Sequence, residues 1–156
     1  MSGITASGIW TTTVTTTQQS PLGFVLTTPN GDYGLQEWVY IYNDDPAVLA
    51  VGDCVMIDTD YVPYHAIKTG GPHDSLKIIG CAQHVIAAGS YGFVLQTGKG
   101  LARGDGSVAK GDSIVSHTTA YVDTMAAGEE NMVIGLALAD DGVAGATFSV
   151  LLSCGL

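Results

Sequence analysis

Positive charge is what this sequence has least of. Its 156 residues hold 5 Lys and Arg against 15 Asp and Glu, a formal net charge of -10. Such a field repels phosphate backbones, so neither nucleic acid nor an anionic membrane is an expected partner. Charge of either sign is thin: charged residues make up 13% of the chain, about half the usual share of roughly 25%. Long hydrophobic runs are missing as well. The longest nearly unbroken one, residues 133–139, falls far short of the ~20 apolar residues a spanning helix needs. Cys54, Cys81 and Cys154 are odd in number and widely spaced, which reads as buried thiols packing as small hydrophobes and not as a disulfide framework. The start, Met1-Ser2-Gly3-Ile4-Thr5-Ala6, shows no basic stretch followed by an apolar core, so synthesis and folding in a reducing cytoplasm are expected.

What is present is a chain of single-domain length with 46% hydrophobic residues, enough to bury a core without staples. Its surface is short of charge, and something besides water is expected to cover part of it. With membrane and nucleic acid set aside, protein–protein contact is the expected cover. The plainer alternative is a monomer in which Thr and Gly stand in for charges.

Helical periodicity is nearly absent, and short apolar runs are cut by Gly, Pro, Asn and Asp, the punctuation of an all-β chain. Residues 11–17 are Thr except for Val14, and this β-branched run predicts a strand or an extended arm. Asn30-Gly31 between residues 22–28 and 36–42 predicts a hairpin, because both residues tolerate positive φ. In residues 36–42, alternation places Trp38, Tyr40 and Tyr42 on one face and Val39 and Ile41 on the other, so both faces require cover. Residues 132–138 read the same way, whereas in residues 146–152 Phe148, Val150 and Leu152 point inward with Thr147 and Ser149 outward. One unit recurs at Ala50-Val51-Gly52-Asp53, Ala87-Ala88-Gly89-Ser90, Ala109-Lys110-Gly111-Asp112, Ala126-Ala127-Gly128-Glu129 and Val143-Ala144-Gly145-Ala146. It predicts a tight turn with Gly at positive φ, followed by a strand. The irregular spacing marks reuse of turn chemistry and not a solenoid. The expected fold is a single-domain antiparallel β-barrel or tulip-like sandwich, with residues 1–17 an extended N-terminal arm or first strand and residues 18–156 the β domain. Helix is expected for a turn or two at most, around residues 46–50 or 124–128.

Residues for chemistry are few. His65 and His73 flank Gly70-Gly71-Pro72, and Asp74 follows His73; these are the residues a small hydrolase or metal-dependent enzyme would use, but their spacing matches no metal signature. Cys81 and His84 have zinc-pair spacing, yet residues three apart on a strand diverge. His117 stands alone. Gly89-Ser90-Tyr91-Gly92 lacks the spacing of a nucleophile elbow. Gly98-Lys99-Gly100-Leu101 lacks the full phosphate-loop pattern. Arg103-Gly104-Asp105 matches an integrin-binding tripeptide by letters alone, with Asp105-Gly106 read as a hairpin turn. The acid pairs Asp44-Asp45, Glu129-Glu130 and Asp140-Asp141 read as turn residues that bond their own backbone. No catalytic, cofactor or metal residue is assigned.

From about residue 78 onward the order of segments resembles the capsid decoration, or cement, proteins of tailed bacteriophages. The residues that carry the likeness are Ile79-Gly80-Cys81-Ala82-Gln83, Ala87-Ala88-Gly89-Ser90-Tyr91-Gly92-Phe93-Val94, Ala109-Lys110-Gly111-Asp112, Ala126-Ala127-Gly128-Glu129, Val133-Ile134-Gly135-Leu136-Ala137-Leu138, Ala144-Gly145-Ala146 and Phe148-Ser149-Val150-Leu151-Leu152. The resemblance implies a structural virion protein on the outer capsid surface, first present in the host cytoplasm, that clamps neighbouring major capsid proteins. It also implies a homo-oligomer, usually a trimer, without cofactor or catalysis. A tail, fibre or baseplate subunit is the neighbouring alternative. In this reading residues 4–17 lie across a neighbouring capsid subunit as an added strand, with Ile4, Ile9, Trp10 and Val14 as anchors, and Trp38 and Tyr40 join them at the interface.

Overall fold

The strand that is apolar on both faces organises the fold. In the computed structural model, which describes residues 8–60, 62–70 and 78–154, ten strands form one sheet. They are β1 (Val25–Pro29), β2 (Leu35–Asn43), β3 (Cys54–Ile57), β4 (His65–Lys68), β5 (Ile78–Cys81), β6 (Tyr91–Arg103), β7 (Ser113–Ser116), β8 (Val122–Thr124), β9 (Gly135–Ala137) and β10 (Thr147–Ser153). Their order is β1-β2-β4-β3-β5-β6-β10-β9-β7-β8, and β2 also pairs with β6. That extra pairing closes β2, β4, β3, β5 and β6 into a five-stranded barrel, while β10, β9, β7 and β8 continue the sheet beyond it. The all-β barrel expected from sequence is thus the fold. Ladders are antiparallel except for β2 with β4, where Tyr42 and Asn43 run parallel to His65 and Ala66.

Alternation along β2 divides the core in two. Val39 and Ile41 point into the barrel, where they meet Ala66 of β4, Val55 of β3, Ile79 of β5 and Val94 of β6, with Leu49 and Ile86 also in this cluster. Every barrel strand contributes, so the interior is filled by side chains. Trp38 and Tyr40 point the other way, into a larger cluster with Phe93 and Leu95 of β6, Phe148, Val150 and Leu152 of β10, Ile114 of β7 and Val122 of β8. The second half of the sheet therefore folds back over the barrel wall as the second layer of a sandwich.

β6 makes both layers possible because it changes partner along its length. Its first half pairs with β2 as far as Thr97 opposite Glu37, and from Thr97 to Arg103 it pairs with β10. The handover falls at Gly98, whose φ is 109° and where a Cβ would press on the Leu35 carbonyl. A glycine inside a strand marks such a bend at a barrel corner.

The hairpin predicted at Asn30-Gly31 is present: β1 and β2 pair with Val25 opposite Val39 and Pro29 opposite Leu35, joined through a single 3-10 turn at Gly31–Tyr33. All five recurring Gly units are turns with Gly at positive φ. In each the residue after Gly donates its N–H to the carbonyl three residues back: Asp53 to Ala50, Ser90 to Ala87, Asp112 to Ala109, Glu129 to Ala126 and Ala146 to Val143. Where that residue is acidic its carboxylate also accepts the first residue's N–H, from Ala50 at 2.8 Å, Ala109 at 3.0 Å and Ala126 at 2.7 Å. The turn and its clamp are encoded in four adjacent residues. Gly52, Gly89, Gly111 and Gly145 each lead into a strand, whereas Gly128 leads into a 3-10 turn at Glu130–Met132.

Several expectations are corrected. Short helix occurs as 3-10 turns at Gly31–Tyr33, Thr118–Ala120 and Glu130–Met132, not at residues 46–50 or 124–128. Residues 132–138 are not covered on both sides throughout: in β9 Gly135 and Ala137 are buried but Leu136 between them is exposed, because β9 lies in the outer layer. Asp105-Gly106 is no hairpin turn, since β10 and β9 lie between β6 and β7. Residues 11–17 form no strand. Thr15 makes an isolated bridge to Tyr91, Ile9 is buried in the larger cluster, and Val14 packs on the barrel cluster. The described part of residues 8–17 thus lies along the body itself.

Asp53 joins the layers. Its carboxylate is wholly buried yet meets Arg103 Nη1 at 3.0 Å and Lys68 Nζ at 3.3 Å, besides the Ala50 N–H. Arg103 continues outward: its Nε donates to the Gly145 carbonyl at 3.1 Å, and its guanidinium lies over the Tyr121 ring. A buried carboxylate requires this pairing. Removing one partner of a buried pair costs about 3–5 kcal/mol; Lys68 and Arg103 are partly exposed and can rehydrate, which places Asp53→Ala near the lower end. Urea unfolding of D53A should show a loss of about 3 kcal/mol, and a loss below about 1 kcal/mol would show that Asp53 does not tie the layers.

Candidate functional site

The residues that suggested chemistry are mostly committed to structure. Asp45 Oδ2 accepts the Lys68 N–H and its Oδ1 that of Ala47; Asp140 accepts from Lys110 and Asp141 from Gly106; Glu129 and Glu130 accept from Ala126 and Gly128. Glu129 and Glu130 bond local turn backbone, as expected, whereas Asp140 and Asp141 reach Lys110 and Gly106, 30 and 35 residues away, and Asp45 does both. Asp44 differs, with its Oδ2 3.1 Å from His65 Nδ1. His73 and Asp74, proposed beside His65, lie outside the described residues. Ser90 is buried, and its carbonyl accepts the Asn43 N–H. Gly98-Lys99-Gly100-Leu101 is the interior of β6. The Arg103-Gly104-Asp105 tripeptide is not displayed, because Arg103 is held by Asp53, Gly145 and Tyr121.

The three thiols are free and buried. Cys54 stands opposite Cys81 in the β3–β5 ladder. A hydrogen bond with Cys54, then burial, push the Cys81 thiol well above the ordinary range, and burial does the same for Cys154. Cys81 is fully buried in the larger cluster, while burial lowers the pKa of His84, whose Nε2 has no hydrogen-bond partner among the described residues.

Of the residues assigned to an interface, Ile4 lies outside the described residues. Ile9 is buried, and so are Trp38 and Tyr40, at 8% and 1% exposure. The Trp38 Nε1–H donates to Thr28 Oγ1 at 3.0 Å and the Tyr40 hydroxyl accepts the Gln19 N–H at 3.1 Å, so both side chains are held by the subunit's own core. Val14 is half-buried. Trp10 is exposed at 47%.

A second exposed apolar feature went unassigned in the sequence. On the outer layer, Lys99 of β6 stands opposite Leu151 of β10, and Leu151 opposite Leu136 of β9. Directly opposed residues project from the same face, so these three form a row across three strands. Tyr33 extends the row, with the Lys99 ammonium 3.5 Å above its ring centroid. Leu136 and Leu151 are exposed at 38% and 41%, and Tyr33 and neighbouring Leu35 more so. The signal in the sequence was the outward phase of residues 147–151, where Leu151 follows Thr147 and Ser149.

No protein-family model matches this sequence, and no curated protein matches it. Among solved structures the chain is similar to the N base of the head fibre gp8.5 of bacteriophage phi29, with a TM-score of 0.55 and 9% identity over 76% of this chain and 98% of that one. At that identity the likeness is one of fold.

The buried thiols give a direct check on this packing. A thiol reagent added to the native protein should find Cys54, Cys81 and Cys154 silent, with all three reacting once denaturant is present, since reaction needs an accessible thiolate. Rapid reaction of any one in the native state would place it outside the core described above.

Proposed function

We propose that this chain is a structural subunit of a bacteriophage virion that sits on the outside of the head and binds the major capsid protein there. The observation that carries the reading is the shared fold with the base of a phage head fibre. Two features of the molecule support it. Of 5 basic residues, Lys68 and Arg103 are drawn onto Asp53 and Lys99 onto Tyr33, which leaves little positive charge for docking. Apolar residues meanwhile stand outward on β10 and β9, at Tyr33 and Leu35, and at Trp10. The likeness of residues 78–152 to capsid decoration proteins points the same way.

In this role the exposed row and Trp10 are the contact surfaces, in place of Trp38 and Tyr40, and copies associate as a homo-oligomer, a trimer in the decoration family. Clamping of neighbouring capsid subunits after shell expansion is the specific form proposed. A second reading, the base of a fibre projecting from the head, has the solved neighbour directly in its favour; the two differ in whether a further chain is mounted on this one.

Binding through uncharged surface is little affected by ionic screening. Purified protein incubated with phage heads should co-sediment with them equally at low salt and at about 0.5 M salt, where the Debye length is only a few Å. Leu136→Lys combined with Leu151→Glu, both on exposed positions, should leave folding intact and reduce head binding at least tenfold, and Trp10→Ala should weaken it further. Release by salt, or undiminished binding of the triple variant, would overturn the assignment of this surface; a chain that ignores heads and sediments as a monomer would overturn the function.

A further inference from the structure

One cluster has no part in that binding role. Asp105, His117 and Asp123, each half-buried, bring two carboxylate oxygens and an imidazole nitrogen within 4.8 Å of one another. They come from three stretches of chain: Asp105 lies just past β6, His117 directly follows β7, and Asp123 is the middle residue of β8. Backbone bonds hold all three in place. The Asp105 N–H donates to the Val122 carbonyl at 3.1 Å and the His117 N–H to the Tyr121 carbonyl at 2.8 Å, while Asp123 is in register opposite Val115.

Each carboxylate accepts a backbone hydrogen bond at its Oδ1, Asp105 from the Ser107 N–H at 2.9 Å and Asp123 from the Thr124 N–H at 2.6 Å. Among the described residues no Lys or Arg is ion-paired with Asp105 or Asp123. The His117 Nδ1 lies 3.1 Å from Thr118 Oγ1. When it donates its proton there, Nε2 turns a lone pair toward Asp123 Oδ2, 4.0 Å away. Ser107 Oγ lies 2.7 Å from Asp105 Oδ1 and 2.8 Å from Asp123 Oδ1, and a hydroxyl has one proton for these two anionic acceptors. Two carboxylates and an imidazole nitrogen thus converge in a half-buried setting, an arrangement that a cation stabilises.

We propose that Asp105, His117 and Asp123 bind a divalent transition-metal ion of the zinc type, with Ser107 at the edge of the coordination sphere. Two carboxylates and an imidazole suit such an ion, whereas calcium and magnesium take all-oxygen sites. Zinc holds these ligands at about 2.0–2.2 Å, which draws ligand atoms to within about 3.5 Å of each other, so the 4.0 Å gap between His117 and Asp123 closes by a few tenths of an ångström on binding. The ion fastens the β7–β8 hairpin to the exit of β6. The acidic group Asp44, Asp58 and Asp60 offers no matching argument, because His65 already lies on Asp44.

The test is calorimetric titration of the full chain with zinc chloride, together with thermal unfolding. The expected result is one ion per chain, a higher melting temperature with zinc present, and affinity at least tenfold weaker in both His117→Ala and Asp105→Asn, with His65→Ala binding as the parent does. The His117 side chain is about a third exposed, at 31%, and its polar contacts are to Thr118 and Asp123; circular dichroism checks that both variants fold, and the conservative D105N carries the test if H117A unfolds. Absence of stoichiometric zinc binding by the parent, or equal binding by folded H117A or D105N, overturns the proposal. Neither outcome bears on head binding, which is measured without added metal.

Discussion

The pairing of β2 with β6 is the constraint on which the other elements depend. It brings residues some fifty positions apart into register, Tyr42 against Tyr91 and Trp38 against Leu95, and in doing so turns a row of short strands into a closed barrel. Closure removes two sheet edges at once. It also commits both faces of β2, since Val39 and Ile41 line the barrel while Trp38 and Tyr40 form the floor of the second layer. Loop closure over such a distance is entropically costly, and it is offset by burying large side chains on two sides of one strand.

Scarcity of charge shapes the electrostatics. With 5 cations in the sequence, placing two of them on the buried Asp53 carboxylate is a large commitment. The carboxylate is first needed by the turn, where it accepts the Ala50 N–H; the cations follow because a buried anion left alone is unstable. Arg103 then carries the connection from this turn to Gly145 and Tyr121, so one local clamp is continuous with the packing of the outer layer.

Local features were legible in the sequence and long-range ones were not. The Asn30-Gly31 hairpin, the five Gly turns and the inward phase of Phe148, Val150 and Leu152 are set by residues within a few positions of each other, where backbone preference and alternation decide the outcome. The two-faced demand of β2 could also be read, though not what would cover it. Strand order could not: nothing near Gly98 in the sequence says that β6 changes partner there, and its neighbours Gly98-Lys99-Gly100 resemble a loop. Trp38 and Tyr40 read equally well as interface or core, because burial in a partner and burial in the subunit leave the same pattern. The threonine run misled for a related reason. β propensity describes fitness for a pleated, half-buried surface, and residues 11–17 meet a strand only at the single Thr15–Tyr91 bridge to β6.

The two ends of the sheet limit edge-to-edge strand pairing between copies of this protein. β1 ends in Pro29, which has no N–H to offer, and β8 is three residues long with its Val122 carbonyl already taken by Asp105. These features shorten the ladder that a neighbouring chain could extend at either end. Molecules with such short or proline-ended edges are poorly suited to fibril growth by strand addition.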